Sequence, residues 1–194
     1  MAREVDTHRV AIGLVPHTGW TWLVRVGGPP DAPRVESRAR VVACDVLEGE
    51  LYHLAAERTR DRERFVETRR AAALAQAREA LRAWIDGAQA AVVLGKRMTL
   101  PAFDRIIAAH PLIHGAEGEL WRTVFAEACA AHRLAVARAE GSRVRDAVVA
   151  RQGPRAVDAF LAEGKRTVGA PWTREPQDAA LAAWNALTEV DARR

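Results

Sequence analysis

Lysine is almost missing from this basic chain: of 29 lysines and arginines, only Lys96 and Lys165 are lysines. A bias so uniform follows the base composition of a coding sequence as well as it follows a ligand. The net charge of +4 therefore permits a polyanionic partner without requiring one. Cysteine is equally scarce. Cys44 and Cys129 stand far apart and in no metal-ligand spacing. That excludes a disulfide framework and reads as two small buried thiols in a reducing cytoplasm. No run approaches the ~18 apolar residues of a membrane-spanning helix. The opening MAREVDTHRV lacks the apolar core of a secretory signal, so a cytoplasmic protein is expected. A phosphate-cradling loop is missing too, because Gly27-Gly28 runs into Pro29-Pro30 instead of a helix N-terminus. Neither a Ser-His-Asp nor a Cys-His pattern can be placed.

What is present is a chain of 194 residues with 49% hydrophobic and 28% charged residues, enough for a sizeable core and expected to form a single domain over 1–194. Its organising stretch is Val10–Val26. Val10, Ile12 and Leu14 alternate with Ala11, Gly13 and Val15, so both faces of a first strand are apolar, as in a central strand covered on both sides. Pro16-His17-Thr18-Gly19 supplies a turn, and Trp20–Val26 returns. After the Gly27–Asp31 loop a third strand is expected over Val35–Ala43.

The spacing predicts one long helix over Gly49–Ile85. Its middle, Glu57–Arg70, holds six arginines, four acids and only Phe65 and Val66 as large apolar residues. That segment reads as a solvated face laced with i,i+4 pairs or as a protruding arm that contacts a partner. A buried parallel strand follows at Ala90–Leu94. Helices are expected at Leu100–Ala109, with Pro101 in the first turn, and at Glu117–His132, separated by a break at His110-Pro111. A strand over Leu134–Ala139 precedes helices at Ser142–Gln152, Pro154–Glu163 and Pro176–Leu187, with Ser142 and Thr173 as candidate caps. Periodicity alone gives an α/β protein that opens with an antiparallel meander.

Ile12-Gly13-Leu14-Val15-Pro16 followed by Thr18-Gly19-Trp20 resembles the opening hairpin of RuvC-type Holliday-junction resolvases, whose pattern is roughly G-I-D-P-G, a short gap, then T-G-W. Two weaker blocks match in the correct order. They are Ser142–Arg145 with Arg151–Ala156, and Asp178–Ala183 at the start of the last helix. The resemblance implies a ribonuclease H-like fold: a five-stranded mixed sheet in the order 3-2-1-4-5, helices on both faces, and an enlarged helical insertion over 49–86.

It also implies a two-ion centre, with acids from the first strand, the fourth strand and the last helix. Here Val15 stands at the first position and Leu94-Gly95 at the second, which leaves Asp178 as the residual candidate. Asp178 alone reads as an acid complementing the macrodipole at a helix start. No metal and no cofactor are expected. A rebuilt acidic site would need Asp178 to meet Asp45, Glu117 or Glu119. His110, His114 and Glu117, joined by His17, make a zinc-type donor set, but Pro111 between the two histidines argues against helical geometry and for ordinary loop histidines.

From Arg133 to Arg166 there are eight basic and four acidic residues, an excess equal to the net charge of the whole chain. The resemblance directs Arg143, Arg145, Arg151 and Arg155 toward DNA, with Lys165 and Arg166 beside them. The first reading is therefore a catalytically degenerate RuvC-like protein that binds structured DNA or RNA. The alternatives are a homodimeric interaction scaffold and a metal-dependent nuclease with a rebuilt site.

Overall fold

The computed structural model describes residues 9–192. Residues 1–8, which carry the segment read for a secretory signal, lie outside the described residues. Five strands form one sheet: β1 (Val10–His17), β2 (Trp20–Gly27), β3 (Arg34–Val42), β4 (Ala88–Leu94) and β5 (Ala135–Ala139). Their order is β3-β2-β1-β4-β5, as expected. β1 pairs antiparallel with β2 and β2 with β3, while β1/β4 and β4/β5 are parallel. β1 is central, and Val10–Leu14 are buried. Pro16 falls where β1 has outrun β4, whose pairing stops at Leu14, so its missing N–H breaks no parallel ladder. The hairpin turns at Thr18-Gly19, with Gly19 at φ 77°. The Gly19 carbonyl accepts from the Ala43 and Cys44 amides, which ties the turn to the end of β3.

Strand alternation sorts the side chains into two cores. Ile12, Leu14, Leu23, Ala91 and Val93 face α2 (Leu51–Ala56), α3 (Arg62–Leu81) and α5 (His110–Ala131). Ala11, Val24, Val26, Ala90, Val92 and Leu94 face α6 (Gly141–Gln152), α7 (Pro154–Val168) and α8 (Arg174–Ala192). α8 lies directly on the sheet because its inner stripe is small: Ala179, Ala180, Ala182 and Ala183 are fully buried. At β1 the approach is closer still. A Cβ on Gly13 would stand 1.9 Å from the Ala179 carbonyl oxygen.

The long helix predicted over Gly49–Ile85 is several pieces. α1 (Val46–Gly49) and α2 come first, and α3 begins only after Asp61 reverses the chain at φ 53°. The segment Glu57–Arg60 has no apolar side chain to hold a helix against a core, and the chain turns there. The protruding arm is not observed either. Val66 is buried with Ala73, Ala77 and Leu81 in the core shared with α5, and the Arg58 guanidinium sits 4.5 Å over the Phe65 ring. A 3-10 turn at Arg82–Trp84 leads to Gly87 at φ 70° and then to β4.

The expected helix Leu100–Ala109 shrinks to α4 (Phe103–Ile107), and Pro101 precedes it. α5 begins at His110 and not at Glu117, with Pro111 in its first turn. Proline is tolerated there because the first amides of a helix have no intrahelical partner. The break expected at His110-Pro111 is thus a helix start. Ser142 lies inside α6, whose N-cap is Glu140, and the Thr173 carbonyl accepts from the Gln177 amide at the start of α8.

Candidate functional site

Residues 11, 13, 15 and 17 of β1 share the face turned to α8. Gly13 meets Ala179, Val15 packs against the α8-side core, and His17 Nε2 lies 3.2 Å from Glu175 Oε2. Leu94 ends β4 on the same face. Val15, Leu94 and the N-terminal end of α8 therefore meet at the carboxyl end of the sheet, beside the point where strand order reverses between β1 and β4. Open α/β sheets bind ligands at such places.

The charges at this end are already balanced. Asp178, buried in the second turn of α8, accepts from Arg145 Nε at 3.0 Å and Nη2 at 2.7 Å, and its other oxygen lies 3.5 Å from Arg174 Nε. It is not the first-turn acid expected from the sequence, because α8 begins two residues earlier and Glu175 takes that place. A two-ion centre does not fit these residues. Two of its three acidic positions are Val15 and Leu94, and the third carboxylate is held by a guanidinium.

The other acids lie apart from Asp178. Asp45 caps α1 by accepting from the Leu47 amide. Glu117 is buried beneath α2 and accepts from the Tyr52 amide at 2.6 Å and the His53 amide at 3.2 Å. Burial pushes its carboxyl up to about 7, against the pull of those backbone donors. Glu119 accepts from both Arg138 Nη1 and Nη2, and from Arg122. Burial raises its carboxyl, but the two arginines outweigh it and hold the group below the usual range. A carboxylate with a lowered folded pKa contributes stability that is present above its unfolded pKa and lost as pH falls through the folded one. Glu119→Gln is therefore expected to lower the melting temperature near pH ~7 and to lower it by less near pH ~3. Melts at the two pH values check this, and equal losses at both would refute it.

The six basic residues singled out in the sequence divide into two sets. Arg145 is held by Asp178, and Arg151 donates to Asn185 and Thr188 on α8. Arg143, Arg155, Lys165 and Arg166 reach solvent, as Arg151 also does, and Arg143 Nε lies 3.3 Å from Glu140 Oε2. Arg155 and Arg166 are eleven residues apart on α7, close to three full turns, and so project from nearly the same side. Arg143 stands at the mouth of a groove of about 320 Å³ lined by Gly95, Arg97, Arg138, Ala139, Glu140 and Arg143. This groove runs along the carboxyl ends of β4 and β5.

Sequence reasoning missed Arg97 in this groove and an aromatic ladder on the other half of the sheet, on β2 and β3. Trp20 stacks on His17 with centroids 4.1 Å apart and planes 4° from parallel, and it meets Trp22 edge-on. The Arg40 guanidinium lies 4.3 Å from the Trp20 ring and that of Arg38 lies 5.3 Å from Trp22. The signal was available. Trp-x-Trp on β2 and Arg-x-Arg on β3 alternate on one face, and antiparallel register makes them diagonal neighbours.

Comparison by sequence finds no matching family model and no matching curated protein. Comparison by structure does find relatives in fold. Thermus thermophilus RuvC in complex with Holliday junction substrate superposes with a TM-score of 0.56 at 16% identity, covering 95% of this chain and 96% of that one. A second Thermus thermophilus RuvC structure gives a TM-score of 0.53 at 14% identity, covering 94% and 96%. The chain therefore has the RuvC fold over nearly its whole length.

Proposed function

We propose that this chain is a catalytically degenerate RuvC-like protein that binds structured nucleic acid across the carboxyl end of its sheet. Its fold relative from Thermus thermophilus is solved with a Holliday junction substrate. The observation that carries the reading is the combination at one sheet end of a site without its acids and a rim that keeps its cations. Val15, Leu94 and the Arg145–Asp178 pair occupy the centre, while Arg97 and Arg143 line the groove beside it. Guanidinium groups there suit phosphates. Arg155, Lys165 and Arg166 extend the basic surface along α7. Arg145 and Arg151, engaged by α8, hold the scaffold instead.

The test is fluorescence anisotropy with a four-way junction, duplex and single strands, in DNA and RNA, between ~50 and ~200 mM salt. Wild type is expected to bind with a steep salt slope. Arg143→Glu together with Arg155→Glu should weaken binding at least ~10-fold and reduce the slope by about two, one for each phosphate contact removed. Absence of any binding by wild type at low salt would end this reading and favour a protein-interaction scaffold.

A further inference from the structure

On the face of the sheet opposite Asp178, three imidazoles converge. His53 comes from α2, and His110 and His114 come from successive turns of α5. Their ligand-capable nitrogens all lie within 4.8 Å of one another. The ring centroids are 4.3 Å apart for His110–His114, 4.8 Å for His53–His114 and 5.4 Å for His53–His110, and each pair is steeply inclined. Rings clustered edge-on in this way point nitrogens toward a common space and do not stack. His110 and His114 lie four residues apart on one helix face only because Pro111 occupies the first turn of α5.

A second observation lies beneath the cluster. Glu117 Oε1 stands 3.5 Å from His53 Nδ1, just beyond hydrogen-bond range. Both His53 Nδ1 and Glu117 Oε2 are buried and have no hydrogen-bond partner among the described residues. Such atoms are costly to leave unsatisfied. A carboxylate behind a histidine is the arrangement that orients a metal-binding imidazole, because it fixes the proton on the inner nitrogen and turns the outer one toward the ion.

We propose that His53, His110 and His114 bind a first-row divalent cation of the zinc class, with Glu117 as the carboxylate that orients His53. Three neutral imidazoles and no thiolate suit zinc, nickel or cobalt and are poor ligands for magnesium. A tetrahedral ion with metal–nitrogen bonds of about 2.0–2.1 Å needs its ligand atoms roughly 3.3 Å apart. The present spread closes by small rotations of His110 and His114, whose side chains are exposed. The fourth position faces solvent. The ion would fasten α2 to α5, joining two elements whose histidines are 57 residues apart in the chain.

The test uses the full chain without an affinity tag, stripped by chelation and then titrated with Zn2+ by calorimetry and with Co2+ by visible absorption. Its readout is independent of nucleic-acid binding. Wild type is expected to take up one Zn2+ per chain and to melt at a higher temperature when loaded. His110→Ala and His114→Ala, both at exposed positions, should each weaken Zn2+ binding by at least the ~10–100-fold typical of losing an outer-shell partner. Glu117→Gln should cost ~10–100-fold. Wild type with no saturable uptake, or uptake unchanged in the His110→Ala/His114→Ala double variant, would overturn the site. Unchanged affinity in folded Glu117→Gln would overturn the role of the carboxylate. Should that variant fail to fold, the two histidine variants still decide the site.

Discussion

Gly13→Ala is expected to unfold the protein or lower its melting temperature by more than any other single-methyl change in the sheet. The added Cβ would stand 1.9 Å from the Ala179 carbonyl oxygen, 2.6 Å from its carbonyl carbon and 2.9 Å from its Cα. These are backbone atoms of a helix, so no side-chain rotation relieves the contact. Either α8 lifts from the sheet or β1 bends, and both break a core in which Ala179 through Ala183 are fully buried. Overpacking costs about 1–3 kcal/mol where side chains can yield. Here the cost should reach or exceed the top of that range, a large part of the ~5–15 kcal/mol that holds a domain together. For a chain of this size ~3 kcal/mol corresponds to a fall of about 6–12 °C. Thermal melts followed by circular dichroism measure it. A variant that melts within ~2 °C of wild type would mean that α8 does not press on β1 as described.

Val15→Asp is expected to destabilise the protein without giving it nuclease activity. Val15 packs its side chain against the α8-side core. The substitution removes apolar burial and adds a half-buried carboxylate, at a cost of about 1–3 kcal/mol. Desolvation raises the pKa of the new group. A raised folded pKa gives stability that is present at low pH and lost as pH rises through it. The deficit relative to wild type should therefore be larger near pH ~8 than near pH ~4. No two-ion centre forms, because Leu94 offers no oxygen and Arg145 holds Asp178. Four-way junctions, duplexes and single strands incubated with magnesium or manganese should remain uncut by wild type and by this variant. Cleavage by wild type that disappears in Asp178→Ala would show instead that the surviving carboxylate works in a rebuilt site. Acids at both strand positions, together with release of Asp178 by Arg145→Ala, are the smallest change with a physical route to a metal centre.

The basis for both predictions was partly legible in the chain. The double-sided apolarity of Val10–Val15 is a local signal with period two, and it marked β1 as central before any pairing was known. The order of strand and helix patterns, with the hairpin resemblance, was enough for the sheet order, because short connections and right-handed crossovers leave few other arrangements. That Val15 and Leu94 carry no side-chain oxygen was equally visible, and such a side chain cannot ligate magnesium wherever it lies.

Other features depended on distance in space. The sequence gives Asp178 and Arg145 as separate charges, and only the packing of α6 against α8 makes them a pair. Glu57–Arg70 reads as solvated because its apolar residues are few, yet Val66 finds the core because α3 turns back along α5. The histidine cluster was half legible: His110, His114 and Glu117 stood out as a zinc-type donor set, but its third imidazole is His53 and not His17. His53 is remote from His110 and His114 in sequence, and Pro111 reads as a break when it is in fact the first turn of a helix. Periodicity and residue chemistry are properties of neighbours along the chain, so the sequence by itself determined the strands and their order, and put residues without a side-chain oxygen at positions 15 and 94. Which charges neutralise each other and which imidazoles converge depend on contacts between elements far apart in sequence, and the tertiary structure alone decided those.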